Sequence, residues 1–287
     1  MSETREVALN EEGADFTLGA STMFNPADLI DALQDILKLS APLREIEIVI
    51  VDQIPTQLIG DLRRIADDHR LTYTVHAPLL YADLAFQLEE VREIYKRRVR
   101  ESISFAAEID AKRITVHGGQ ISIKLPAIKP FNPFRVDRTK YISTCCEALR
   151  ELTDYAKTLG LKTCIENTTR GIGKYPDEIK YLFRQVPDLG FTLDVGHANV
   201  TGNLEQYISL NPDHLHLHDN NGLEDSHLPL GCGMVNHDSI LRQLGDIGYE
   251  GVVCLELYSI EDLRNSLNHL RSLDHLLPPL SAGGGEK

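Results

Sequence analysis

No apolar run in this 287-residue chain approaches the ~20 residues that a bilayer-crossing helix needs. Residues 1–15 are polar and mostly acidic, without the basic-then-apolar order of a secretion signal, so a cytoplasmic protein is expected. Cysteine is scarce: there are five, an odd number, and none forms a C-x-x-C pair. That argues against a disulfide framework and against a structural zinc knuckle. Basic residues are outnumbered, 29 Lys+Arg against 43 Asp+Glu, and the net charge of −14 repels a nucleic-acid backbone. It leaves room for a small anionic substrate, because bound cations reverse the field locally. The Gly-rich turn of an open dinucleotide-binding sheet is also missing, since the first strand leads into Gly19-Ala20-Ser21-Thr22.

What the chain does have is alternation. Short β-branched runs, expected as strands, fall at 16–20, 45–51, 72–76, 113–117, 162–166, 190–194, 213–218 and 251–257. Amphipathic segments follow them, most clearly at 27–39, 57–69, 87–109, 137–159, 176–185, 237–244 and 261–276. Strand–helix alternation implies a parallel sheet, and eight units imply closure. The expected fold is an α/β, single-domain (β/α)₈ TIM barrel over 16–276, with 1–15 a polar tail and 277–287 a disordered one. Hydrophobic residues at 42% suffice for its core. The longest irregular stretch, 118–135, carries Pro126, Pro130 and Pro133 with Lys124, Lys129 and Arg135. It is either a cover for the active site or a surface insertion. Lys96-Arg97-Arg98 lies among acids and reads as a solvated helix face.

The strand ends carry the chemistry. The third ends in His76, the fourth in His117, the fifth in Glu166 and the sixth in Asp194. The seventh carries His216 and His218, and the eighth Glu256. One such residue is ordinarily a hydrogen-bonded core group. Six consecutive strands presenting one at the catalytic face of a barrel is another matter. Carboxylates buried together protonate unless cations compensate them, so convergence here points to metal. His197, three residues beyond Asp194, and the loop pair Asp225 and His227 add candidates. An extended loop would put that pair on one face. Two residues before the strand-end ligands stand Thr74, Thr115, Cys164, Thr192, His214 and Cys254. Period-2 alternation points them into the barrel as a polar layer beneath the ligands.

Together these motifs resemble the xylose isomerase-like superfamily of TIM barrels (AP endonuclease family 2), and within it endonuclease IV. They are His76-Ala77-Pro78, Val116-His117-Gly118-Gly119, Ile165-Glu166-Asn167-Thr168, Asp194-Val195-Gly196-His197, His216-Leu217-His218-Asp219, Asp225-Ser226-His227 with Leu230-Gly231, and Leu255-Glu256. The resemblance to endonuclease IV implies up to three Zn²⁺ ions. His76, His117 and Glu166 would hold one, and Glu166 would bridge to a second held by Asp194, His216 and Glu256. His197, Asp225 and His227 would hold the third. Sugar isomerases and epimerases of the same superfamily imply a single ion on Glu166, Asp194, His216 and Glu256. Three departures from endonuclease IV disfavour DNA as a partner: Leu79 after His-Ala-Pro, no histidine in the first strand, and His218-Asp219-Asn220-Asn221 after the seventh.

Two activities follow as expectations. The first is phosphoester hydrolysis at a multinuclear zinc site, on a small phosphorylated sugar or nucleotide, with Glu166 bridging ions and Arg170, Lys174 and Lys124 contacting phosphate. The alternative is isomerisation or epimerisation of a sugar or sugar phosphate, with Glu166 and Glu256 as the acid/base pair. Histidine with carboxylate suits Zn²⁺, Mn²⁺, Fe²⁺ or Co²⁺. A barrel that only binds a ligand would explain neither the ligand cluster nor the polar layer.

Overall fold

The computed structural model describes residues 16–39, 41–79, 83–119 and 138–273. Within them β1 (Thr17–Ser21), β2 (Glu45–Val49), β3 (Thr72–His76), β4 (Arg113–Val116), β5 (Lys162–Glu166), β6 (Gly190–Asp194), β7 (His214–Leu217) and β8 (Val252–Leu255) run parallel in chain order. β8 pairs back onto β1 and closes the barrel. The fold is the (β/α)₈ barrel that the alternation implies. The two tails and most of the 118–135 stretch, with Lys124, Lys129 and Arg135, lie outside the described residues.

Each strand is followed by helix: α1 (Leu29–Lys38), α2 (Ile59–His69), α3 (Glu89–Glu108), α4 (Arg138–Thr158), α5 (Pro176–Gln185), α6 (Val195–Thr201) with α7 (Leu204–Ile208), α8 (His237–Asp246) and α9 (Ile260–Arg271). Side-chain caps set several starts. Asp28 accepts from Asp31 N, Asn236 from Ser239 N and Ser259 from Asp262 N, each satisfying an amide that the first turn leaves open. α6 and α7 were not among the expected helices. At 7 and 5 residues they are too short to show a 3.6-residue period. No helix among the described residues is long and apolar enough to cross a membrane.

Outward-facing strand residues such as Ile46, Ile48, Val75, Ile114, Ile165, Phe191, Leu215 and Val253 are buried beneath the helices. The alternate positions face inward, as contacts between strands that are not neighbours show. Thr115 of β4 and Thr192 of β6 share a hydroxyl hydrogen bond of 2.9 Å, and Arg113 Nη1 of β4 lies 3.4 Å from His214 Nδ1 of β7. Barrel interiors are normally filled with Val, Ile and Leu. Here many inward positions are polar instead, and Thr74, Thr115, Cys164, Thr192, His214 and Cys254 are all buried among them as the alternation predicts.

Candidate active site

Strand ends and one loop build the site. Glu166 closes β5 and is buried at its centre. His117 Nε2 stands 2.7 Å and His76 Nε2 3.1 Å from its Oε2, while His216 Nδ1 is 3.1 Å from its Oε1. Glu256 Oε2 lies 3.3 Å and Asp194 Oδ2 3.9 Å from the same His216 nitrogen. Ligand atoms of Glu166, Asp194, His216 and Glu256 therefore all fall within 4.8 Å of one another, as do those of His76, His117 and Glu166.

Asp194 has two tasks. It ends β6 and caps α6, its Oδ1 accepting from His197 N at 2.6 Å. That cap aims His197 into the site, where its Nε2 meets Asp225 Oδ2 at 2.9 Å. His227 Nε2 is 3.5 Å from the same oxygen. The loop pair converges, but not through an extended segment, because His227 adopts a left-handed φ of 44°. Such a backbone is costly away from glycine and persists where its surroundings enforce it. Asp219 supplies the enforcement. Its carboxylate accepts from the amides of Gly231, Gly233 and Val235, and its backbone pairs with Leu228, pinning the loop from both sides.

Backbone carbonyls orient three of the imidazoles. His76 Nδ1 is 2.8 Å from Ala77 O, His197 Nδ1 2.8 Å from Asn167 O, and His227 Nδ1 3.0 Å from Glu256 O. A carbonyl only accepts, so Nδ1 carries the proton and Nε2 is left facing the carboxylates. This is how metal-binding histidines are ordinarily held.

Burial pushes the carboxyl groups toward protonation, yet the histidines more than reverse it. His117 and His216 hold Glu166 well below the ordinary range, His197 and His218 hold Asp194 down, and His197 and His227 hold Asp225 down. Burial likewise pulls the imidazoles down, and the carboxylates overcome it. Glu166 lifts His76 to about 9, Asp225 lifts His227 to about 9, and His197 and His216 rise well above their usual value. Between side chains alone, protons hold these buried acids together. A divalent cation can take the place of those protons, and the donor set of buried carboxylate and imidazole fits one.

Two residues have a larger part than the sequence reading gave them: His218, noted at the end of the seventh strand but placed in no ligand set, and Glu47, which was not singled out. His218 directs Nε2 to both Asp194 oxygens at 3.2 Å and groups with Asp225 and His227 within 4.8 Å, a place expected of His197. Its signal was the repeat His214, His216, His218, three residues on one strand face. Glu47 of β2 is fully buried against His216 and His214. Its signal was Glu45-Ile46-Glu47-Ile48, an alternation that puts both acids inside. Of the expected phosphate contacts, Arg170 is exposed in the loop after β5, and Lys174 Nζ lies 5.5 Å from the ring centroid of Tyr175.

A model of the family described as xylose isomerase-like TIM barrel matches residues 37–273, which include every residue of this site. The chain belongs to that family. This xylose isomerase-like barrel is 29% identical over 273 residues to the uncharacterized protein MJ1311 of Methanocaldococcus jannaschii, spanning 90% of this chain and 89% of that one. Among solved structures it is similar to a D-tagatose 3-epimerase-like protein, with a TM-score of 0.80 and 26% identity over 91% of this chain and 98% of that one. It is also similar to the TTHB071 protein of Thermus thermophilus, from a crystal soaked with ZnCl₂. There the TM-score is 0.66 and the identity 26%, over 95% of this chain and all (100%) of that one.

Proposed function

We propose that this protein is a divalent-metal-dependent sugar isomerase or epimerase. One observation carries the reading: two buried glutamates, Glu166 and Glu256, meet with Asp194 and His216 in a single cluster whose donor atoms lie within 4.8 Å. The similarity to a D-tagatose 3-epimerase-like protein supports it and moves it ahead of phosphoester hydrolysis. A bound cation would polarise the sugar's carbonyl and hydroxyl oxygens. Glu166 and Glu256 then act on the carbon beside that carbonyl, one carboxylate taking its proton and the other returning one. His76 and His117 hold Oε2 of Glu166 and His216 holds Oε1, so its carboxylate is fixed at the centre of the cluster. The substrate is a small sugar or sugar phosphate, and Arg170 and Lys174 are the described residues suited to a phosphate.

A second reading, hydrolysis of a phosphoester at two or three zinc ions, is favoured by the flanking clusters His76–His117–Glu166 and His218–Asp225–His227. One experiment separates the two. Protein purified without chelator is assayed for metal per chain, for interconversion of ketose and aldose epimers, and for phosphate release, beside an Asp225→Ala/His227→Ala double variant. The isomerase reading expects sugar interconversion with one essential ion that survives in the variant. Phosphate release with an ion lost in the variant would replace it with the hydrolase.

A further inference from the structure

His216 is held differently from the other imidazoles of the site. His76, His197 and His227 each give Nδ1 to a backbone carbonyl and present Nε2. His216 does the reverse. Its Nδ1 faces Glu166 and Glu256 at 3.1 and 3.3 Å, and its Nε2 meets a carboxylate, Glu47 Oε2, at 3.1 Å. Glu47 comes from β2, across the barrel and beneath the cluster, and neither residue exposes any surface (0% each).

Glu47 is poorly placed for stability. Its Oε1 is buried without a hydrogen-bond partner. Its Oε2 also lies 3.3 Å from His214 Nε2, out of line for a hydrogen bond. A buried charge with a bare oxygen is destabilising, and an apolar side chain of similar size would avoid that cost. Packing alone does not account for a carboxylate here. The floor of the barrel keeps it in position. Arg113 Nη1 pairs with Glu45 at 3.3 Å and lies 3.4 Å from His214 Nδ1. A guanidinium only donates, so Nδ1 of His214 accepts and its proton sits on Nε2, turned toward Glu47.

We propose that Glu47 is a positioning residue for the metal ligand His216, committing the Nε2 proton to its own carboxylate so that Nδ1 is free to coordinate beside Glu166, Asp194 and Glu256. Arg113 sets the tautomer of His214, whose Nε2 lies 3.3 Å from the same Glu47 oxygen, Oε2. The assignment rests on the metal-dependent reading above, and it adds a negative charge one residue behind the cation. Carboxylates that orient a ligating imidazole in this way typically account for roughly 10- to 100-fold in metal affinity.

The test is metal affinity, not turnover. Chelator-stripped wild type and Glu47→Gln are titrated with Zn²⁺ and with Mn²⁺ by calorimetry, after melting curves of both metal-free forms establish folding. The expected result is a roughly 10- to 100-fold weaker Kd in Glu47→Gln at unchanged stoichiometry. Equal affinities would overturn the assignment of Glu47 and leave the metal site intact. Loss of a whole ion equivalent would also overturn it, since Glu47 would then be a ligand. Failure of the wild type to bind either cation overturns both this inference and the reading it rests on. Because a buried substitution can prevent folding, ¹⁵N-histidine NMR of the Zn²⁺-loaded wild type provides an independent readout. A proton on Nε2 of His216 is expected, and a proton on Nδ1 would reject the proposal.

Discussion

The imidazoles of His218 and His227 lie face to face, 3.8 Å between centroids and 11° between planes. Asp225 stands beside both, its oxygens 3.6 Å from His218 Nε2 and 3.5 Å from His227 Nε2. Asp194 claims the remaining reach of His218, and Tyr258 lies 4.6 Å beyond His227. The stack thereby joins the loop after β7 to the strand ends that carry the carboxylate–imidazole cluster.

The stack depends on a glycine. A Cβ at Gly196 would collide with the His218 ring, which is fully buried and has no room to swing away. Alanine would gain up to ~1 kcal/mol of helix propensity in α6. Overpacking a core costs about 1–3 kcal/mol. The clash should win, so Gly196→Ala is expected to lower the urea midpoint at unchanged m-value. A midpoint equal to or above wild type would show that His218 is less tightly held than described.

Removing either glutamate of the proposed acid/base pair should be severe. Glu166→Gln and Glu256→Gln are each expected to reduce sugar interconversion by about 10²- to 10⁴-fold. Metal content measured on the same samples separates loss of the ion from loss of the base. A variant that keeps its ion and near wild-type turnover would remove that glutamate from the chemistry.

Under the proposed metal dependence, metal removal should also destabilise the fold, because the donor atoms of the cluster come together only in the folded chain. At free ion 100-fold above Kd, binding contributes about 2.7 kcal/mol. For a barrel of this size that corresponds to a fall in Tm of roughly 4–5 °C on chelation. The fall should reverse on adding back the divalent cation. A Tm indifferent to chelator would count against a resident ion.

His237 offers a pH test away from the carboxylate cluster. Burial, with His269 and His218 nearby and only partly opposed by Asp219, lowers its pKa to about 4. Between pH 6.5 and 4 the unfolded chain takes up this proton and the folded protein does not. Stability should therefore fall as pH drops through that window, by at most about 1.4 kcal/mol per pH unit for one proton. Denaturant unfolding at pH 7 and pH 5 should show a smaller difference in His237→Gln than in wild type. An identical difference would mean that His237 titrates normally.

Local patterns settled the barrel in advance and named most of the side chains that meet at its mouth. Alternation of β-branched runs with amphipathic segments required eight units, and residues such as His76, Glu166 and Asp194 stood at strand ends where a parallel barrel puts its chemistry. These are properties of near neighbours in the chain. The short helices α6 and α7 had too few turns to declare themselves. The left-handed turn at His227 is imposed from outside, by Asp219 gripping the loop.

What only the tertiary structure decided is which residues share an atom-to-atom environment across the barrel. Glu47 and His216 are 169 positions apart and belong to β2 and β7. Period-2 alternation puts each inside, but inward direction alone does not choose a partner. The closed ring, through the stagger of its strands, sets the depth at which each side chain enters. At that depth a carboxylate from β2 meets the far nitrogen of a histidine whose near nitrogen faces Glu166. The chain by itself determined the fold and the kinds of side chain at the strand ends, because both follow from residue type and spacing, and it left hydrolysis and epimerisation open. The order in which ligands, their holders and the floor beneath them connect was decided by closure of the barrel.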